Sequence, residues 1–253
     1  MPLWCELLVL LVVAALLTAL VKAFLVESFM IPSGSMENTL QPGERVLVNR
    51  LIYDFRGINR GDVVVFSGTG SWDPPPRGRP AGVMSAAYHD ALDLMGVEST
   101  GTDYVKRVIG LPGDHVACCD RRGRITVNGT PLDEKAYLYP GDRPSTESFQ
   151  ITVPPGRLWV MGDHRGDSAD SRYHPENPGH GTVPESAVVG RAFLVAWPPS
   201  DIRSLPIPAA FSRLALAGSD PAGGLAVAAA PAGMLPLAWV SRRLRGRRPA
   251  KRR

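Results

Sequence analysis

Lysine is nearly missing from this chain. Its 28 basic residues divide into 24 arginines and four lysines, Lys22, Lys106, Lys135 and Lys251. Cysteine is as sparse: Cys5 lies in an apolar run, and Cys118 adjoins Cys119. Three cysteines make no disulfide framework. Bridging two neighbours strains the bond, so Cys118 and Cys119 are expected as ordinary thiols, and an adjacent pair alone supplies too few ligands for zinc. The five histidines, His89, His115, His164, His174 and His180, offer little. A Ser-His-Asp triad needs a base next to a serine, and only His164, beside "GDSADSR", qualifies. His164, His174 and His180 lack the close spacing of a metal set, so no metal and no cofactor is expected. No internal repeat is visible, and no strand-helix-strand rhythm, which excludes a parallel sheet.

The net charge of +4 misleads. The last 13 residues, "SRRLRGRRPAKRR", hold eight basic residues and no acid, and removing those eight charges from +4 leaves residues 1–240 at −4. A mildly acidic body with a basic tail argues against a nucleic-acid-binding fold, whose charge should lie on the folded face. With 253 residues the chain can bury one core plus a small insert. Its 24 prolines and 26 glycines exclude long helices outside the apolar runs.

Those runs stand at the two ends. "LLVLLVVAALLTALVKAFLV", residues 7–26, is interrupted only by Lys22. Twenty helical residues span about 30 Å, the thickness of the hydrocarbon layer. Trp4 sits where an interfacial aromatic would, and Lys22 near the far edge can snorkel. The rival reading, a cleaved signal peptide, lacks a basic leading region. A second stretch, "AGGLAVAAAPAGMLPLAWV", residues 222–240, is uncharged but carries Pro231 and Pro236. It reads as a second span, since such residues are tolerated in membrane helices, with a disordered Ala/Pro linker as the alternative. By the positive-inside rule the tail 241–253 stays cytoplasmic, which puts the N-terminus inside and residues 27–220 outside.

The middle reads as β. "RVLVNRLIY", "GDVVVFSG", "YVKRVIGL", "HVACC", "RITVNGTPL", "FQITVP", "RLWVMGD" and "AVVGRAFLVAW" are short β-rich runs bounded by turn residues. Asn128-Gly129 is a hairpin signal. Such spacing predicts an antiparallel, barrel-like or folded-over sheet over residues 27–203, followed by a linker at 204–221. Residues 67–103 break the pattern. They read as a surface insertion, Pro/Gly-rich first, then one short amphipathic helix. The stretch around Tyr139–Thr146 reads as an exposed turn. The "RGD" tripeptides at 60–62 and 165–167 are expected by chance in so Arg-, Gly- and Asp-rich a chain.

Chemistry narrows to one lysine and a serine pair. Lys106 lies between Val105 and Arg107 in an apolar strand pattern, sharing its face with Tyr104 and Val108. A lysine there is costly unless paired or neutral, and burial frees a lone pair that can take a serine proton. An edge-strand lysine that snorkels is the bland alternative. Ahead of it, "IPSGSMENTL" (residues 31–40) places two serines just past the first apolar run.

Four blocks occur in order: "PSGSMENTL", "RGDVVVF", "YVKRVIGLPGD" and "GDHRGDSADSR". With the leading span they cover roughly a quarter of the chain, and together they resemble the bacterial type I signal peptidases, the membrane-bound Ser/Lys endopeptidases of peptidase family S26. The resemblance implies Ser35 as nucleophile and Lys106 as general base. It implies that the Ser33 hydroxyl joins the Ser35 backbone N–H in an oxyanion hole, that Ser168 orients the lysine, and that Asp170 and Arg172 form a supporting ion pair. Phe29, Ile31, Met36, Leu40, Val46, Tyr104 and Val105 match positions that line shallow substrate pockets selective for Ala-x-Ala. It further implies a mainly β, antiparallel catalytic domain with a small β-hairpin insert at residues 115–157, held on the outer face of the plasma membrane. Its partners would be preprotein signal peptides and lipid. His164 departs from the family, where asparagine is common, as does Gly166-Asp167. Two alternatives stand against this, the first also proteolytic and the second not an enzyme. A self-cleaving Ser/Lys repressor relative would carry a helix-turn-helix, and an anchored but catalytically dead binding module would not keep Ser33, Ser35, Lys106 and Ser168 together.

The topology is open to direct test. A reporter fused after Arg253 should be cytoplasmic, and one inserted near Asp142 external, in protease-protection measurements on intact cells. An externally accessible C-terminus would leave the N-terminal anchor alone.

Overall fold

The computed structural model describes Trp4, residues 10–13, 26–74 and 103–217. The chain divides into two units, Met1–Ser219 and Asp220–Arg253, and the second lies wholly outside the described residues. Also outside them are most of the span expected at 7–26, the span at 222–240, the tail, and residues 75–102 with their expected helix. Trp4 and Leu10–Val13 are helical. Among the described residues, no helix is long and apolar enough to cross a membrane.

Among the described residues, twelve strands form two antiparallel sheets. They are β1 (Val26–Met30), β2 (Arg45–Asn49), β3 (Val63–Ser67), β4 (Asp103–Gly110), β5 (His115–Cys118), β6 (Thr126–Val127), β7 (Thr130–Pro131), β8 (Phe149–Thr152), β9 (Arg157–Met161), β10 (Val183–Pro184), β11 (Val188–Trp197) and β12 (Arg203–Ser204). The larger sheet runs β1-β2-β11-β3-β4-β9-β10, with β12 on β11. The smaller runs β7-β6-β5-β8. All eight predicted runs contain strands, and Arg45–Tyr53 ends instead in a short helix, Ile52–Phe55.

β3 shows why the sheet is central. Val63 to Phe66 are all buried, so the apolar run has no polar alternation. Successive side chains point to opposite faces. Val63 and Val65 enter one core cluster with Met36, Leu40 and Val46, and Val64 and Phe66 enter another with Val108 and Val160. In the smaller sheet, Asn128 (φ 53) and Gly129 (φ 76) make the two-residue turn between β6 and β7. Positive φ at both central residues is the hairpin geometry that Asn-Gly favours.

Three expectations are corrected. The segment 204–221 is not a plain linker: Ala209–Ala217 is a helix whose Phe211 and Leu214 are buried with Tyr137, Trp159 and Met161. Hydrophobic side chains at this spacing needed only a core to receive them. The root of the 67–103 segment is not superficial either. Trp72 is buried, meets Phe66 edge-on at 5.1 Å and donates its indole N–H to Gly181 O. Finally, Cys118 and Cys119 are joined as a disulfide rather than held as two thiols.

Phe211 stacks on Tyr137 and covers Gly61, whose φ of +88 and lack of Cβ admit the ring. Phe211→Ala should therefore destabilise the fold by about 3–5 kcal/mol, read from denaturant unfolding followed by tryptophan fluorescence. A loss below about 1 kcal/mol would mean that the helix does not belong to the core.

Candidate active site

The loop between β1 and β2 is closed at its base. Ile31 N–H donates to Glu44 O at 2.9 Å, and Gly43 N–H donates to Ile31 O at 2.8 Å. Ser33 is extended (φ −138, ψ 164) and its side chain makes no capping bond. A single 3-10 turn follows, Gly34–Met36, and carries Ser35. The first N–H groups of a helix have no intrahelical acceptor, so the N–H of Ser35 is available to another partner. Met36 and Leu40 sink into the core and hold the turn down.

Lys106 stands opposite Val64 in the β3–β4 register. Its Nζ lies 2.6 Å from Ser35 Oγ. The residue is 4 % exposed. Burial pulls the amine down from its ordinary value to about 8, while the charges of Asp170, Asp163 and Asp167 act in the opposite direction and Arg172 adds to the lowering. Near neutral to alkaline pH this amine exchanges between a donor and a lone-pair acceptor toward Ser35.

β9 supplies the back wall. It ends beside Gly162, where a Cβ would collide with Ser168 Oγ and with the Ser35 carbonyl, so only glycine lets Ser35 and Ser168 approach this closely. His164 N–H donates to that same carbonyl at 3.2 Å. Gly162 N–H donates to Asp170 Oδ2 at 2.9 Å. Asp170 in turn takes two bonds from the Arg172 guanidinium, at 2.8 and 2.9 Å. Ser168 is buried against Gly162, but its Oγ has no hydrogen-bond partner, so no hydrogen bond to Lys106 forms in this structure.

The residues matched to substrate pockets separate into two groups. Ile31, Met36, Leu40 and Val46 are fully buried in the cluster under the Ser35 loop. Phe29 and Val105 lie half-buried at its margin. Tyr104 stacks on Phe66 and donates its hydroxyl to Asp73 at 3.0 Å. Among these seven, Phe29, Val105 and Tyr104 are the ones left partly exposed.

His164 is not turned on Ser35. Its ring stacks on Tyr139 at 3.9 Å, and its Nδ1 is 3.4 Å from Glu37 Oε2. The "RGD" tripeptides are no adhesion motif: Asp62 is fully buried against Arg56, and Arg165 is buried against Glu134. Among the described residues, no group of His, Cys, Asp or Glu side chains could hold a metal ion.

Apart from Arg172, sequence reasoning missed the buried arginines. Arg107, next to Lys106, is 2 % exposed and donates through Nε to Asp163 Oδ1 at 2.8 Å. Asp163 also accepts from the Thr39 hydroxyl, which ties β4 and the end of β9 to the Ser35 loop. An arginine inside an apolar strand, followed at a distance by a Gly-Asp step, was the available signal.

The family model described as signal peptidase, peptidase S26, matches residues 4–197. A probable signal peptidase I of Mycobacterium leprae (strain TN) is 39% identical over 226 residues, covering 78% of this chain and 77% of that protein. A signal peptidase I of Mycobacterium tuberculosis (strain ATCC 25618 / H37Rv) is 40% identical over 216 residues, covering 77% and 73%. A crystal structure of a signal peptidase I from Enterococcus faecalis V583 aligns at 22% identity and a TM-score of 0.34, covering 54% of this chain and 97% of that one. By the family model and these relatives, the chain belongs to peptidase family S26, the signal peptidases, and is a serine endopeptidase of that family.

Proposed function

We propose that this protein removes signal peptides from exported preproteins with Ser35 Oγ as nucleophile and the neutral amine of Lys106 as its general base. The observation that carries the reading is the 2.6 Å contact between Nζ and Oγ, made by a buried lysine in a chain with only four. The Lys106 lone pair takes the hydroxyl proton as Oγ attacks the scissile carbonyl carbon. Charge then develops on the carbonyl oxygen, where the Ser35 N–H and the Ser33 hydroxyl donate. The ammonium returns its proton to the leaving amine, and the mature protein departs with a new N-terminus. A water then attacks the acyl-enzyme, again through Lys106, and restores Ser35.

Supporting roles fit the same reading. Ser168 would orient the lysine, with the Asp170–Arg172 pair behind it. Shallow apolar pockets, with Phe29, Val105 and Tyr104 at the surface and Ile31, Met36, Leu40 and Val46 beneath, would accept alanine side chains and exclude larger ones. The apolar stretch 7–26 would hold the catalytic domain against the outer membrane face, where the cleavage site of an inserted signal peptide lies. A second crossing at 222–240 would return the chain to the cytoplasm.

Two measurements test the chemistry. Ser35→Ala should keep its fold yet lose preprotein processing by several orders of magnitude, and Ser33→Ala should lose about 10²–10³ in rate, as for one oxyanion donor. Normal turnover by the Ser35→Ala protein would remove that serine from the mechanism.

The second is a pH–rate profile. The base must be unprotonated, so the rate should rise with pH and level off above about 8, where Lys106 has lost its proton. Below that value it should fall about tenfold per pH unit, in step with the neutral fraction. Lys106→Arg keeps a cation but cannot deprotonate, and should be as inactive as Lys106→Ala. Near-normal cleavage by the arginine variant would send the search for a base elsewhere, to His164 first.

A further inference from the structure

No hydrogen bond or ion pair joins the segment Glu134–Asp142 to Ser35 or Lys106, yet it contacts residues that surround them. Tyr137, 2 % exposed, places its ring under the Arg107 guanidinium at 4.6 Å. That guanidinium binds Asp163. The Tyr137 hydroxyl donates to Glu134 Oε1 at 2.8 Å, and Glu134 pairs with Arg165, whose Nε donates to Gly162 O at 2.8 Å. Two residues on, Tyr139 N–H donates to Asp163 O at 2.9 Å while its ring lies on His164. On the other flank, Asn38 sits in the left-handed region (φ 77) and donates its amide to Leu138 O at 3.0 Å.

These contacts converge on one turn. The segment holds Asp163 and His164 directly and Gly162 through Arg165, and His164 N–H is the group that binds the Ser35 carbonyl. We propose that Tyr137 and Tyr139 are positioning residues, which hold the Gly162–His164 turn, and through it Ser35, where Oγ meets Lys106. The proposal rests on the Ser35 and Lys106 assignment above. A buried tyrosine could instead serve packing alone, but packing does not explain why both rings seat polar partners of the nucleophile's own supports. An electrostatic consequence follows. Arg107 neutralises Asp163, one of the carboxylates whose field acts on Lys106, along with Asp167 and Asp170, against Arg172. Without the ring beneath it, Arg107 would hold Asp163 less tightly, and the fuller negative charge would raise the Lys106 midpoint.

The test is steady-state cleavage of a preprotein by the full chain in detergent, with Ser35→Ala run alongside. Tyr139 is half-buried, so Tyr139→Ala should fold; kcat should fall about tenfold with KM unchanged, as for a small misplacement of a reacting group. Tyr137→Leu should lose on the order of 10² in kcat and shift its pH–rate midpoint upward, and Tyr137→Phe, which keeps the ring, should recover most of both. Wild-type kcat in Tyr139→Ala overturns the proposal, whether or not Tyr137→Leu folds. So does a Tyr137→Leu enzyme, folded by circular dichroism, whose kcat and midpoint match wild type. If Ser35→Ala itself cleaves, the nucleophile assignment fails first and takes the positioning role with it; an inactive Ser35→Ala with normal Tyr139→Ala defeats the positioning role alone.

Discussion

A buried amine must lose its proton or find a counter-ion, and the site depends on which of these Lys106 does. Three carboxylates act on it, Asp163, Asp167 and Asp170. Left to themselves, they would hold it as an ammonium. Two of the three are already engaged: Asp163 by Arg107 and Asp170 by Arg172, each pair almost wholly buried. Desolvation then outweighs the remaining attraction, and the amine's close partner is the Ser35 hydroxyl.

The preference for arginine over lysine acquires a physical meaning in that setting. A guanidinium stays charged when buried and spreads its charge over several donors, so it can neutralise an acid and bind backbone carbonyls at once. Arg107 does this with Asp163 and Gly61 O, Arg165 with Glu134 and Gly162 O, and Arg172 with Asp170 and Arg165 O. Such pairs add little net stability, because their desolvation offsets much of the attraction. Their value lies in geometry, since each fixes a turn around Ser35.

The serine loop is held by complementary means. Met36 and Leu40 anchor it from within by burial, while Thr39, Asn38 and the Ser35 carbonyl are bound by polar groups from outside. No single secondary-structure element could place Ser35, because its 3-10 turn is only three residues long. The position is decided by strand ends that arrive from distant parts of the chain.

Much of this was legible in the amino-acid order. Local periodicity and turn chemistry located the strand runs, the Asn128-Gly129 hairpin and the lysine in an apolar strand, because each depends on neighbours within a few residues. Recurrent motifs brought Ser33, Ser35 and Lys106 to attention. Spacing could not reveal that Ala209–Ala217 packs as a helix in the core, that Trp72 is buried, or that the stretch from Glu134 to Asp142, read as partly an exposed turn, braces the site. Nor could it divide the seven apolar positions into four that are buried and three, Phe29, Tyr104 and Val105, that are left partly exposed. Those outcomes turn on which surfaces meet across tens of residues in sequence, as when Arg107 finds Asp163 and Tyr137 lies between Arg107 and Phe211. The sequence by itself determined an antiparallel β chain with an unusual lysine; only tertiary contact decided how deeply that lysine is buried, which arginines neutralise its acids, and that its amine ends beside Ser35.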